Sequence, residues 1–196
     1  SGAKLRVFPH NDLVKLHELL TDSASAAARW LLVDGVYSMD GDYAPLPGLL
    51  ELAKKFDATV IMDDAHGTGV AGASGRGTTE VFGLLPSFYE DRLIITATLS
   101  KALGSQGGVV LGTPDLREAL INASRPFVYS TGLAPAAAGA ALSALKIVQR
   151  DPDRVMQLHL KKAKAVRILA EHGIQIEGST PILPIILGGA VHALEA

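Results

Sequence analysis

Thr59-Val60-Ile61-Met62-Asp63-Asp64-Ala65-His66-Gly67 is the stretch that decides the fold. Thr59 to Met62 is a short apolar run rich in β-branched residues, the pattern of a buried strand, and it stops abruptly at two carboxylates and an imidazole. The same pattern recurs on either side. Trp30–Val33, Leu93–Ala97 and Gly108–Leu111 also read as strands, and Pro181–Leu187 reads as a last one. Helical spacing fills the intervals. A helix from Asp12 to Leu20 is capped by His10-Asn11-Asp12, and one from Leu49 to Phe56 is entered through Pro45-Leu46-Pro47. Further helices cover Asp115–Ala123, Ala136–Val148 and Asp151–His172. Apolar strands separated by helices predict an α/β fold with a largely parallel sheet covered on both faces. Ligands of such sheets collect where strands end, which directs attention to Asp34–Asp42, Asp63–His66 and Thr98–Lys101.

Composition narrows the function classes. The chain has 196 residues, 48% hydrophobic and 19% charged, enough for one globular domain or one and a fraction. Lys and Arg number 18 against 20 Asp and Glu, a net charge of −2, so no basic footprint marks a nucleic acid or an anionic membrane as partner. With no cysteine there is no thiol nucleophile, disulfide or thiolate metal site, which suits a reducing compartment such as the cytoplasm. The longest uncharged stretch, Pro126–Leu145, is interrupted by Pro135 and carries Ser130, Thr131 and Ser143, so it does not read as a membrane span.

Asp63, Asp64 and His66 at the end of an apolar strand need a positive partner, because ionised groups are costly there. A salt-bridge cluster, a metal site and a carboxylate facing a cationic cofactor ring all satisfy that need. Gly67-Thr68-Gly69-Val70-Ala71-Gly72 matches the dinucleotide-binding pattern, but that pattern opens a helix directly. Here Gly75 and Gly77 prolong the loop, so a plain turn is the better reading. Lys101 follows the strand Leu93–Ala97 within Thr98-Leu99-Ser100-Lys101-Ala102-Leu103-Gly104. A lysine among small and apolar residues is desolvated into a nucleophilic amine, or else snorkels to the surface. Pyridoxal phosphate requires a lysine for its aldehyde, an acid opposite its ring nitrogen and donors for its phosphate. Lys101, Asp63 and the Thr98/Ser100 pair provide one of each.

Asp34-Gly35-Val36-Tyr37-Ser38-Met39-Asp40-Gly41-Asp42 with Ala44-Pro45-Leu46, then Asp63 to Val70 with Gly75-Arg76-Gly77, then Thr98 to Lys101 and Tyr129-Ser130-Thr131, together resemble the α-oxoamine synthase family. The match is ordered and runs over nearly the whole chain. Asp-Asp-Ala-His-Gly is most similar to the branch formed by the 8-amino-7-oxononanoate synthases of biotin synthesis. The ketobutyrate ligase and serine palmitoyltransferase branches are the alternatives.

The resemblance implies the large, doubly wound domain of the aspartate aminotransferase-like, fold type I enzymes. It also implies pyridoxal 5'-phosphate as cofactor, and condensation of an amino acid, L-alanine in this branch, with a pimeloyl thioester as carbon dioxide leaves. On it, Lys101 carries the cofactor and moves protons at the α carbon, Asp63 pairs with the ring nitrogen, and His66 and Ser38 hydrogen-bond the ring's 3-oxygen. Thr98, with Ser100 beside it, holds the phosphate. Ser130 and Thr131 reach the phosphate of a neighbouring subunit in a homodimer with shared sites. Asp64 receives no role and is read as structural. No metal site is implied; hydrolysis by a metal held on Asp63, Asp64 and His66 leaves the lysine motif unexplained.

The family's glycine-rich phosphate segment, its ring-stacking residue and its carboxyl-terminal small domain have no counterpart in this sequence. The expectation is therefore a central fragment: residues 1–150 part of the cofactor-binding large domain, 151–180 a connecting helix and 181–196 the start of a truncated small domain. On that expectation the isolated chain is a catalytically incomplete cofactor-binding or dimerising fragment.

Overall fold

The computed structural model describes residues 2–84, 91–176 and 178–195. Four strands form one sheet in the order β1-β2-β3-β4: β1 Trp30–Asp34, β2 Thr59–Asp63, β3 Leu93–Thr98 and β4 Gly108–Leu111. The first three run parallel, and β4 returns antiparallel beside β3 through the short connection that carries Lys101. The helices are α1 Leu13–Thr21, α2 Leu46–Lys55, α3 Thr78–Val81, α4 Pro114–Ala123, α5 Arg125–Val128, α6 Pro135–Arg150, α7 Asp153–Glu171 and α8 Ala190–Glu195. None of the described helices is long and apolar enough to cross a membrane.

Local chemistry explains the helix starts. Asp12 caps α1 by accepting the Lys15 N–H at 2.8 Å, and Thr113 caps α4 by accepting the Leu116 N–H at 3.2 Å. Prolines sit in the first turns of α2, α4 and α6, where a missing N–H costs nothing. Alternation along the strands then sets the core. Leu31 and Val33 of β1, Val60 and Met62 of β2 and Leu93 of β3 lie in register on one face and meet Leu16 and Leu20 of α1 and Leu46, Leu49 and Ala53 of α2.

Two expectations need correction, and two short helices were not foreseen. The sheet is not covered on both faces within the described residues: Trp30 and Leu32, on the face opposite the core, are 54% and 68% exposed, and β4 is exposed along its length. Residues 181–187 are irregular rather than a strand. Pro181 and Pro184 have no N–H to offer a ladder, and the Ile182 N–H is spent on the Thr180 hydroxyl at 3.2 Å. Finally, α3 and α5, one turn each, carry no periodicity long enough to have been foreseen.

Replacing Leu49 with alanine empties a position 1% exposed in the α2 interface and is expected to cost about 2–5 kcal/mol in urea unfolding. Leu32→Ser, on the open face, is expected to stay within about 0.5 kcal/mol.

Candidate active site

Because β1, β2 and β3 are parallel, their carboxyl ends share one edge, where Asp34 pairs in register with Asp63 and Asp63 with Thr96. The antiparallel β4 starts at the same edge, with Gly108 opposite Thr98. The connection from Leu99 to Gly107 is therefore held over the strand ends. The Leu99 N–H donates to Gly107 O at 2.9 Å, Ser105 N–H to Leu99 O at 2.8 Å and Gly104 N–H to Lys101 O at 3.0 Å. Gly107 has φ +104°, which favours glycine. The Ser105 hydroxyl ties this connection to the start of α6 through Ala137 O at 2.6 Å.

Lys101 Nζ lies 2.8 Å from His66 Nε2. That is hydrogen-bond distance between an amine and an imidazole, and the ring tautomer sets which of the two donates. Of the two readings open for Lys101, desolvated or reaching the surface, the exposed side chain fits the second; its special feature is the ring beside it. Thr98 Oγ1 and Ser100 Oγ are 2.7 Å apart, and the Ser100 N–H donates to the Thr98 hydroxyl oxygen at 3.2 Å. Two hydroxyls and an amide thus face the same edge as the lysine. Asp63 is exposed at the end of β2 and accepts the Ala65 N–H at 2.9 Å, which fixes its carboxylate on the turn.

Asp64 turns the other way and is 3% exposed. Its carboxylate accepts the Thr78 hydroxyl at 2.6 Å, the Thr78 N–H at 3.1 Å and the Thr68 hydroxyl at 3.4 Å. Burial pushes the Asp64 carboxyl above its ordinary range, and the Asp63 charge adds to the rise, while the bonds from Thr78 and Thr68 oppose it. Asp64 therefore does not converge with Asp63 and His66 on a common point, which removes the geometry that a metal held by those three would need.

Thr78 and Glu80 are the residues that sequence reading missed. The loop from Gly67 to Gly77 is pinned by Glu80, which accepts the Ser74 hydroxyl at 2.7 Å, the Ser74 N–H at 3.1 Å and the Arg76 N–H at 2.9 Å. The loop leads to α3 only at Thr78, so the dinucleotide pattern does not open a helix here. The signal available in the sequence was a threonine directly after the last glycine, facing an acid with no assigned partner.

The structure brings Lys101 to His66 and Thr98 to Ser100, and it sets Asp63 on the same edge. Ser38 lies exposed in the turn after β1, closed by the Tyr37 N–H to Asp42 O bond at 3.0 Å. The Ser130 hydroxyl donates to Pro126 O at the end of α5, and Thr131 follows it, exposed. Among the described residues no hydrogen bond links Ser38, Ser130 or Thr131 to Lys101 or His66.

Residues 1–195 match the aminotransferase class I and II family. The chain belongs to that family. The motif resemblance is borne out among similar curated proteins. Over its full length the chain is 42% identical to the 8-amino-7-oxononanoate synthase of Lysinibacillus sphaericus, covering 49% of that enzyme. A serine palmitoyltransferase variant from S. paucimobilis with bound PLP-myriocin aldimine superposes with a TM-score of 0.82 at 27% identity, over 93% of this chain and 47% of that one. An 8-amino-7-oxononanoate synthase from Francisella tularensis superposes with a TM-score of 0.72 at 28% identity, over 93% and 50%. The chain spans about half the length of the curated relatives it matches.

In this class I and II aminotransferase chain the sheet edge offers an amine, an exposed carboxylate and paired hydroxyls. That donor set fits pyridoxal phosphate, whose aldehyde, ring nitrogen and phosphate need one of each.

Burial acts to raise the Glu80 carboxyl, but hydrogen bonds from Ser74 and Arg76 outweigh it and hold the group below its ordinary value. A carboxyl lowered on folding stabilises the folded state above its unfolded value and loses that contribution as pH falls through the folded one. Glu80→Gln is thus expected to destabilise the protein by about 1–2 kcal/mol at neutral pH, discounted for partial exposure, and to flatten the acid limb of a melting-temperature profile.

Proposed function

We propose that this chain is the cofactor-binding core of an α-oxoamine synthase, a pyridoxal phosphate-dependent acyltransferase that joins L-alanine to a pimeloyl thioester, coenzyme A-bound or carrier-bound, and releases carbon dioxide. The reading is carried by the Lys101–His66 contact of 2.8 Å at the strand-end edge that also bears Asp63, Thr98 and Ser100. When bound, the cofactor draws electrons from the substrate's α carbon.

Each residue then has a task set by its chemistry. Lys101 Nζ holds the cofactor and afterwards takes and returns the proton at the α carbon, and His66, within reach of that nitrogen, shares the proton with it. Asp63 keeps the ring nitrogen protonated by opposing it with a carboxylate. His66 and Ser38 hydrogen-bond the ring's 3-oxygen. Thr98 and Ser100 donate to the phosphate, and Ser130 and Thr131 do so for the site of the neighbouring subunit in a homodimer. Residues 1–150 belong to the large domain, 151–180 to a connecting helix and 181–196 to the start of a small domain. The absence of cysteine suits work in the cytoplasm.

Fold similarity alone does not favour the biotin branch, since the serine palmitoyltransferase superposes with the higher TM-score, 0.82 against 0.72. The 42% identity over the full chain favours the alanine and pimeloyl branch.

Reduction of the pyridoxal phosphate-treated protein with borohydride, followed by peptide mapping, is expected to place the label on Lys101. A label on Lys54 or Lys55 instead rejects the assignment. In a turnover assay of the whole enzyme that carries this core, L-alanine with a pimeloyl thioester is expected to outpace L-serine with a palmitoyl thioester; the reverse order moves the chain to the other branch. Asp63→Asn removes a charge-assisted hydrogen bond of about 1.5–3 kcal/mol, so turnover is expected to fall about tenfold to a hundredfold or more, well beyond any loss of cofactor affinity.

A further inference from the structure

Asp64 is a buried acid to which the proposed chemistry gives no task. Among the described residues no lysine, arginine or histidine forms an ion pair with it, and its oxygens are satisfied by neutral donors of Thr78 and Thr68 alone. Its surroundings are shaped to admit it. A Cβ on Gly35 would sit 2.6 Å from Asp64 Oδ1, and Cβ atoms on Gly67 and Gly77 would collide with the same carboxylate, so three backbone segments close on it where no side chain fits. Those segments are the exit of β1, the turn after β2 and the end of the glycine loop.

The backbone of Asp64 is held equally firmly. Its N–H donates to Thr96 O of β3 at 2.8 Å, and its carbonyl accepts the Gly67 and Thr68 N–H groups at 3.1 and 2.9 Å. The Gly35 N–H donates to Asp63 O at 2.7 Å. With the Asp64 side chain drawn inward, Asp63, its neighbour, is left at the exposed edge, and His66 is carried on the turn that the Asp64 carbonyl closes.

We propose that Asp64 is the positioning residue of this site: its buried carboxylate fixes the Asp63–Thr68 turn, and through it the placement of His66 against Lys101 and of Asp63 at the edge. It touches none of the reacting groups. The placement of His66 rests on geometry alone, whereas its consequence for the cofactor rests on the function proposed above.

The test compares four variants. Asp64→Asn turns an amide N–H₂ towards Thr78 donors, Thr78→Val removes the hydroxyl at nearly constant volume, Thr78→Ser keeps it, and Leu49→Ala destabilises the core without removing a hydrogen bond to Asp64. Three quantities are read: melting temperature, the pH midpoint of the His66 imidazole followed by NMR, and retention of pyridoxal phosphate followed by its absorbance. Asp64→Asn and Thr78→Val are expected to move the His66 midpoint by about half a pH unit or more and to weaken cofactor retention about tenfold. Thr78→Ser is expected to keep both at the starting values, and Leu49→Ala to lower only the melting temperature. If Asp64→Asn does not fold, Thr78→Val carries the test. Should these variants lower the melting temperature as Leu49→Ala does while the His66 midpoint stays where it was, Asp64 is a stabilising residue only and the proposal fails. A shifted midpoint in a protein that does not take up pyridoxal phosphate at all leaves the positioning role standing and overturns the function proposed above.

Discussion

A buried carboxylate that meets no cation among the described residues organises this molecule's working edge. Removing an ionised group from water costs several kcal/mol unless nearly every lone pair is met, and Asp64 is met by two threonines and by backbone that can approach only because Gly35, Gly67 and Gly77 lack side chains. The condition is mutual. The glycines would leave a void without the carboxylate, and the carboxylate would be unsatisfied without the close approach that places Thr78 beside it. β1, β2 and the glycine loop are locked at one point by this arrangement, and the neighbouring Asp63 and His66 inherit their placement from it.

The sheet supplies the other half of the geometry. Parallel strands deliver their last residues to one side, and β4, by reversing direction, keeps the connection that bears Lys101 on that side instead of leading it away. An antiparallel return needs few residues, whereas a parallel crossover needs a helix. The lysine is thus held on a tight connection between two paired strands, with Ser105 and Gly107 fixing its base. That is a stiffer mount than a long loop, and stiffness matters where a nitrogen must keep its place to within a fraction of an ångström.

Much of this was readable in the residues. The apolar runs ending in acids gave away β1 and β2, and the apolar run ahead of Thr98, Ser100 and Lys101 gave away β3, because a buried strand has no reason to stop at polar and charged groups unless its end is in use. Lys101, His66, Asp63, Thr98 and Ser100 could be assembled from strand-end positions alone. What escaped reading depended on tertiary partners. Thr78 lies 14 residues from Asp64 and is an ordinary threonine until the loop folds back. Residues 181–187 look like a strand by composition, yet two prolines and an Ile182 N–H spent on the Thr180 hydroxyl leave them irregular. The expectation of a sheet covered on both faces failed at Trp30 and Leu32, where hydrophobicity reports a wish for burial rather than burial itself.

One long-range tie has a consequence in time. The Thr180 hydroxyl, fully buried, donates to Gly41 O at 2.8 Å across 139 residues, and Ile182 O and the Pro184 ring crowd the same glycine. The turn carrying Ser38 is therefore braced by chain that emerges from the ribosome long after it. Closing so large a loop is entropically unfavourable, and contacts of that separation form late. During synthesis, the sheet and its buried acid can be in place while the Ser38 turn still waits for its brace, so this corner of the edge depends on the far end of the chain in a way that the buried acid does not.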